Sequence, residues 1–290
     1  MELRQLEYLI AVAEEANFTR AAARVHISQS GVSAQIRQLE NELGATLIDR
    51  SGRHSTLTPA GAAAVEHARS ALGAVGAVRQ AVDDVNGLVR GHLRVGMVTA
   101  CTVVPLFDAL AAFHLAHPGV EVALFEDNSD QLIDSVRSGA TDLALIGAAG
   151  APPEGLQAIP LVSEPVVAGV SAGHPLASRG HVMLDDLEPF PLVCLPQGTG
   201  VRTVFDEACV AVGARPDIAL QASAPAAVAD LASRGLGVAI LSASMVTNDD
   251  RLEPVALDDV PVPAVLALVW KATESRALQQ LLVECRQAFT

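Results

Sequence analysis

The sequence predicts an α plus α/β chain: a small helical segment closed by a hairpin, then one long helix, then an α/β remainder of two units. Three observations carry this. Helical periodicity fills the first 44 residues. A proline-free run from Ala60 to Val89 keeps one apolar stripe. From residue 91 onward, short β-rich runs alternate with helical ones.

At 290 residues the chain is too long for one small domain, and two to three are expected. Hydrophobic residues make up 50%, enough for well-buried cores. No apolar run reaches the roughly eighteen residues a membrane span needs. The opening MELRQLEYLIAVAEE has acids around its apolar positions and no small-residue cleavage site, so it reads as a helix of the fold, and the expected location is cytoplasmic. Cys101, Cys194, Cys209 and Cys285 are scattered, with no C-x-x-C pair, which argues against a zinc site or a disulfide framework. No metal spacing such as H-E-x-x-H occurs, and no cofactor is expected.

The net charge of −14 is unevenly spread. Residues 1–94 hold ten arginines against ten acids and are neutral; residues 95–290 hold nine basic residues against 23 acids. The neutral third tolerates a polyanion, whereas the acidic bulk is repelled by one.

Within that third, Leu3, Leu6, Ile10 and Ala13 give a first helix its stripe, broken at Asn17-Phe18. Thr19 is the expected N-cap of a short alanine-rich helix, Arg20–Val25, and Ser28 that of the next. On this second helix Val32, Ile36, Leu39 and Leu43 form one apolar stripe, and Gly44 stops it. Its other face carries Ser30, Ser33 and Arg37, with Gln29 and Gln35 close by, types that read base edges and grip phosphates. An ordinary surface helix has such a face too; two helices joined by a short turn make the helix-turn-helix layout. Ala45–Asp49 and Ser55–Thr58 then flank the turn dipeptide Ser51-Gly52 as a small wing carrying Arg50 and Arg53.

The run FTRAAARVHISQSGVSAQIRQLENELGATLIDR, followed by LTPAG, resembles the DNA-binding domain of LysR-type transcriptional regulators across the first sixty residues. The resemblance implies a winged helix-turn-helix at 1–58, its two helices at 18–37. It places Thr19, Gln29, Ser30, Ser33, Gln35 and Arg37, with Arg50 and Arg53 on the wing, against double-stranded DNA. Three residues depart from the pattern: Ser30-Gly31 for the usual Pro-Ala, Ala34 for a frequent arginine, and Ile48 for the common Phe.

Thr58-Pro59 starts the long helix, placed at 59–90. Val65, Ala68, Leu72, Val75, Val78, Val82, Val85 and Val89 recur at near-heptad steps, a seam for the same helix of a second subunit. A dimer or tetramer would hold two recognition helices one turn of DNA apart, the spacing of an inverted-repeat operator.

Residues 92–98, 120–126 and 142–146 read as strands around helices 103–114 and 130–138, a β-α-β-α-β unit; strands 191–195, 217–221 and 237–241 around helices 201–212 and 225–233 read as a second. The order resembles the effector domain of the same regulators, similar to periplasmic solute-binding proteins. It implies two lobes, the first at 91–161 and 267–290, the second at 162–266. Ligands of such sheets sit at strand carboxyl ends against helix N-termini. Here these are Thr99, Ala100, Cys101, Thr102, Asn128, Gly198, Thr199, Gly200 and Ser223, with Arg202 as the nearby cation, free for a ligand carboxylate or paired with Asp206. A small polar or anionic effector is expected, and by family resemblance contact with RNA polymerase.

Two sharper chemistries compete. Gly169–Gly173 matches the G-x-S-x-G elbow, but Gly173-His174-Pro175 leaves no immediate helix, so no catalytic residue is assigned. Cys194 and Cys209 could pair as a redox switch, though Cys209 reads as helix core. Outside the regulator class, the chain could be a solute-binding module whose helix-turn-helix only packs.

Overall fold

The computed structural model describes residues 1–51, 55–85, 90–99, 103–272 and 275–289. They divide into two compact units that part near residue 88.

The first unit opens with α1 (Leu3–Glu15), α2 (Phe18–Arg24) and α3 (Gln29–Leu43). Asn17, not Thr19, caps α2: its Oδ1 accepts from the Thr19 and Arg20 amides at 2.8 and 3.1 Å. A side chain just outside the first turn reaches both unpaired N–H groups, which a Thr already inside the helix does not. Ser28 caps α3 through the Gly31 amide at 3.1 Å, and Gly44 ends it at a left-handed φ of 67°. β1 (Ile48–Asp49) pairs antiparallel with β2 (Thr56–Leu57). Thr58 then starts α4 (Pro59–Val85), its Oγ1 accepting from the Gly61 amide at 3.0 Å and donating to the Thr46 carbonyl at 2.6 Å.

Burial corrects both apolar stripes. Leu3 and Leu43 are 44% and 47% exposed, because each lies in a terminal turn that runs past its neighbours. The core of this unit is instead Leu6, Leu9, Val12, Ala21, Ala22, Val32, Ile36, Leu39, Leu47 and Ile48, joined by Val65 and Ala68 of α4. Farther along α4, Val78 and Val82 are 66% and 58% exposed. The side chain of Val85, and Val89 altogether, lie outside the described residues.

The second unit runs β3 (Gly91–Val98), α5 (Val104–Ala116), β4 (Val120–Asp127), α6 (Ser129–Ser138), β5 (Leu143–Ala149) and β6 (Gln157–Glu164). Next come β7 (Val166–Ser171), β8 (His181–Val182), β9 (Leu192–Cys194), α7 (Gly200–Val212) and β10 (Ile218–Gln221). They are followed by α8 (Pro225–Ser233), β11 (Val238–Ser242), α9 (Ala243–Thr247), β12 (Leu252–Leu257), β13 (Ala264–Trp270) and α10 (Arg276–Ala288).

The strands form two sheets, ordered β4-β3-β5-β13-β6 and β10-β9-β11-β7-β12-β8. Each is parallel except for one strand, β13 in the first and β7 in the second, and each reversed strand directly follows a crossing between sheets. The crossings fall at Pro165 and between Leu257 and Ala264. Val162–Glu164 pair with Ala264–Leu266, which keeps both segments in the first lobe and moves its expected limits of 161 and 267 to 164 and 264. In the first sheet Leu143 and Leu145 face Leu106, Phe113 and Leu281, while Ala144 and Ile146 face Leu132 and Val136. A strand covered by helices on both faces is apolar throughout, as residues 143–146 are.

Candidate functional site

The first unit turns the polar face of α3 outward. Val32, Ile36 and Leu39 are fully buried, which fixes the rotation of the helix, and Gln29, Ser30 and Arg37 are left exposed, with Ser33 and Gln35 half-buried. Ser30 Oγ lies 3.1 Å from Ser28 Oγ, within the cap of the helix. Thr19 is exposed in the first turn of α2. Arg37 enters no ion pair among the described residues and lines a cavity of about 400 Å³ with Glu40, Thr46, Ile48, Asp49, Arg50 and Thr58. Arg53 lies outside the described residues.

Arg50 follows β1 on the wing and makes contacts within the protein. Its guanidinium is 2.9 Å from the Glu40 carboxylate, 3.4 Å from Ser33 Oγ and 4.9 Å from the centre of the Phe18 ring. Glu40 is the residue that sequence reasoning missed. It lies four positions after Ile36, at the edge of the apolar stripe, where an acid needs a partner; that spacing was the available signal.

In the second unit the N-termini of α6 and α7 meet. The Ser129 amide donates to the Gly198 carbonyl at 3.0 Å, and the Gly147 amide of β5 donates to Ser129 Oγ at 3.0 Å. A Cβ on Gly200 would stand 2.6 Å from the Ala148 amide nitrogen, so the start of α7 reaches the first sheet only as glycine. Asn128 Oδ1 caps α6 through the Gln131 amide at 2.9 Å, Thr199 precedes α7, and Thr99 and Ser223 are exposed. Ala100, Cys101 and Thr102 lie outside the described residues. Arg202 is buried, bonded to Asp206 at 2.8 Å and to the Leu195 carbonyl at 3.2 Å; of its two expected roles it fills the structural one.

The thiols of Cys194, Cys209 and Cys285 are buried, and burial pushes them up to about 12, about 11 and about 12. Among the described residues no group of three or more His, Cys, Asp or Glu is placed to hold a metal ion, and no helix is long and apolar enough to cross a membrane.

Residues 3–62 match the family described as "Bacterial regulatory helix-turn-helix protein, lysR family", and residues 86–290 match "LysR substrate binding domain". The chain belongs to the LysR family of transcriptional regulators. It is a DNA-binding regulator with an effector-binding domain, not an enzyme. Relatives of this LysR chain include "DNA-binding transcriptional dual regulator OxyR" of Escherichia coli (strain K12), 31% identical over 255 residues, 88% of this chain and 83% of the relative. "Transcriptional dual regulator GltC" of Bacillus subtilis (strain 168) is 34% identical over 244 residues, 84% and 81% of the two chains. A full-length OxyR variant from Pseudomonas aeruginosa shares the fold at a TM-score of 0.67 and 25% identity, covering 99% of this chain and 95% of its own. Full-length CbnR in complex with its target DNA shares the fold at a TM-score of 0.58 and 24% identity, covering 99% and 100%.

Proposed function

We propose that this LysR regulator reads an inverted-repeat operator as a homodimer or tetramer, switched by a small polar molecule between its lobes. One observation carries the reading of DNA: α3 buries Val32, Ile36 and Leu39 and leaves Gln29, Ser30 and Arg37 to solvent. With Thr19, Ser33, Gln35 and Arg53 these make the contact set. A lone recognition helix makes too few contacts for specificity, and the exposed Val78 and Val82 of α4 give a second copy somewhere to pack.

The effector contacts are Thr99, Asn128, Gly198, Thr199, Gly200 and Ser223, with Ala100, Cys101 and Thr102 beside them in sequence. Since Asp206 and the Leu195 carbonyl already hold Arg202, a neutral polar effector suits the site better than a carboxylate. Peroxide sensing, which the names of several relatives print, needs a thiolate; burial keeps Cys194, Cys209 and Cys285 protonated at neutral pH. Those three thiols thus favour control by reversible ligand binding; Cys101 lies outside the described residues. Closing the lobes shifts subunit geometry and so the spacing of the recognition helices. The regulator acts in the cytoplasm, in contact with RNA polymerase.

A gel shift on the DNA upstream of its own gene, over a salt series and with light scattering, tests this. The expected result is a specific, salt-weakened shift by a dimer or tetramer, unchanged by hydrogen peroxide. The double variant Val78→Asp, Val82→Asp should be monomeric and lose the shift. No specific shift with or without candidate metabolites refutes the reading.

A further inference from the structure

The wing carries an arginine that the DNA-contact expectation does not fit. Arg50 follows β1 and is 29% exposed, its partner Glu40 only 13%. The Glu40 carboxylate is used on both oxygens. Oε1 accepts from the Leu47 and Ile48 amides at 2.9 and 3.1 Å, and Oε2 takes the Arg50 guanidinium at 2.9 Å. The same guanidinium stacks on Phe18 of α2 and reaches Ser33 of α3. One acid on the recognition helix thus holds the entry strand of the wing at three points. One wing arginine ties that strand back to both helices of the helix-turn-helix.

We propose that Glu40 and Arg50 are positioning residues for DNA recognition: their ion pair locks the wing to α3, so that helix and wing meet the duplex as one rigid surface. Arg50 then contributes no phosphate contact of its own. A guanidinium stacked on a ring and held by a carboxylate has its fork and its charge already engaged. The proposal rests on α3 being the DNA-reading helix. Preorganisation of this kind acts on the specific complex, where helix and wing must dock together, and hardly on loose electrostatic binding.

The test uses the full chain and a duplex that the wild type selects from a random pool, with a scrambled duplex of equal length as reference. Glu40→Gln keeps an acceptor for the two amides and removes the charge that holds Arg50. Arg50→Met removes the guanidinium. Arg50→Lys keeps the positive charge but loses the fork and the stack. Each should weaken binding to the selected duplex by about tenfold or more while leaving the scrambled duplex within about twofold. Combining Glu40→Gln with Arg50→Met should weaken it no further than either alone, as two members of one unit behave.

Arg50→Met should also leave the slope of log affinity against log salt unchanged, whereas loss of a phosphate contact lowers it by about one. Retained binding in Arg50→Lys with a lowered slope in Arg50→Met identifies Arg50 as a phosphate ligand and overturns the proposal. So does wild-type affinity in Glu40→Gln. Failure of the wild type to select any sequence sinks the DNA-reading assignment itself, a separate result. Unfolding of a variant is monitored by circular dichroism; should Glu40→Gln unfold, the Arg50→Lys arm decides alone.

Discussion

On α3, Gln29, Ser30 and Arg37 stand exposed, whereas at the lobe junction the polar groups of Ser129, Gly198 and Arg202 are already bonded to protein. The first surface spends its order on the buried side, through Val32, Ile36 and Leu39, and leaves the Gln29 and Arg37 side chains to solvent. At the second, Ser129 bonds Gly198 across the two lobes, and Arg202 is held by Asp206 and Leu195 within one of them. A helix face can leave its polar groups to solvent because burial of its other side already fixes the helix. A site between two lobes has first to hold the lobes.

The largest expected effect breaks the second arrangement. Gly200→Val places side-chain atoms against the Gly147–Ala148 backbone, which unlike a flexible side chain cannot step aside. It should destabilise the second unit by about 3 kcal/mol, the upper end for overpacking. The single tryptophan, Trp270, is buried in the first sheet and reports the melting by fluorescence. Unchanged melting would show that the lobes meet less tightly than these distances say.

Arg37→Ala breaks the first arrangement. With no ion pair to lose among the described residues, it should leave stability within about 0.5 kcal/mol. Operator affinity should fall by about 2 kcal/mol, roughly thirtyfold, as for a lost guanidinium contact to a base or phosphate. Chemical melting and a binding titration on the same preparation separate the two. Asp206→Ala is the converse case, stability without DNA binding. It leaves Arg202 buried on the Leu195 carbonyl alone; since Asp206 is itself 40% exposed, the cost should be about 1 kcal/mol, below that of a fully buried pair.

The same contrast explains what could be read in the sequence. Most long elements were legible because they carried a period or a cap: the Ser28 cap, Gly44, the Thr58-Pro59 start and the alternation of strands with helices in the second unit. β8, α9 and the 3-10 turn Leu184–Leu187 were not, since two to five residues are too few to show a period. Asn17 lost to Thr19 as the expected cap because both are good caps and only backbone geometry chooses. The outward face of α3 followed from its stripe. The i,i+4 spacing offered Asp206 as one partner of Arg202, but nothing local pointed from Arg50 to Glu40, ten positions away in the chain.

The smallest effect concerns how the first unit is tied together, and it is visible only in acid. Glu14 of α1 bonds Arg69 of α4 at 2.9 Å and Arg24 of α2 at 2.6 Å. Burial alone would raise its pKa, but the hydrogen bonds and charges of Arg69 and Arg24 outweigh burial and hold it below the usual carboxylate value of 4.5. A folded pKa below the unfolded one means stability that is complete above pH 4.5 and lost as pH falls through the folded value. Glu14→Gln should therefore be slightly less stable than the wild type at neutral pH and equal to it in acid, with the difference closing below pH 4.5. Hydrogen exchange along α1, read across that range, follows this tie apart from the carboxylates of the second unit. A difference that persists into acid would mean that Glu14 acts by packing and not by charge.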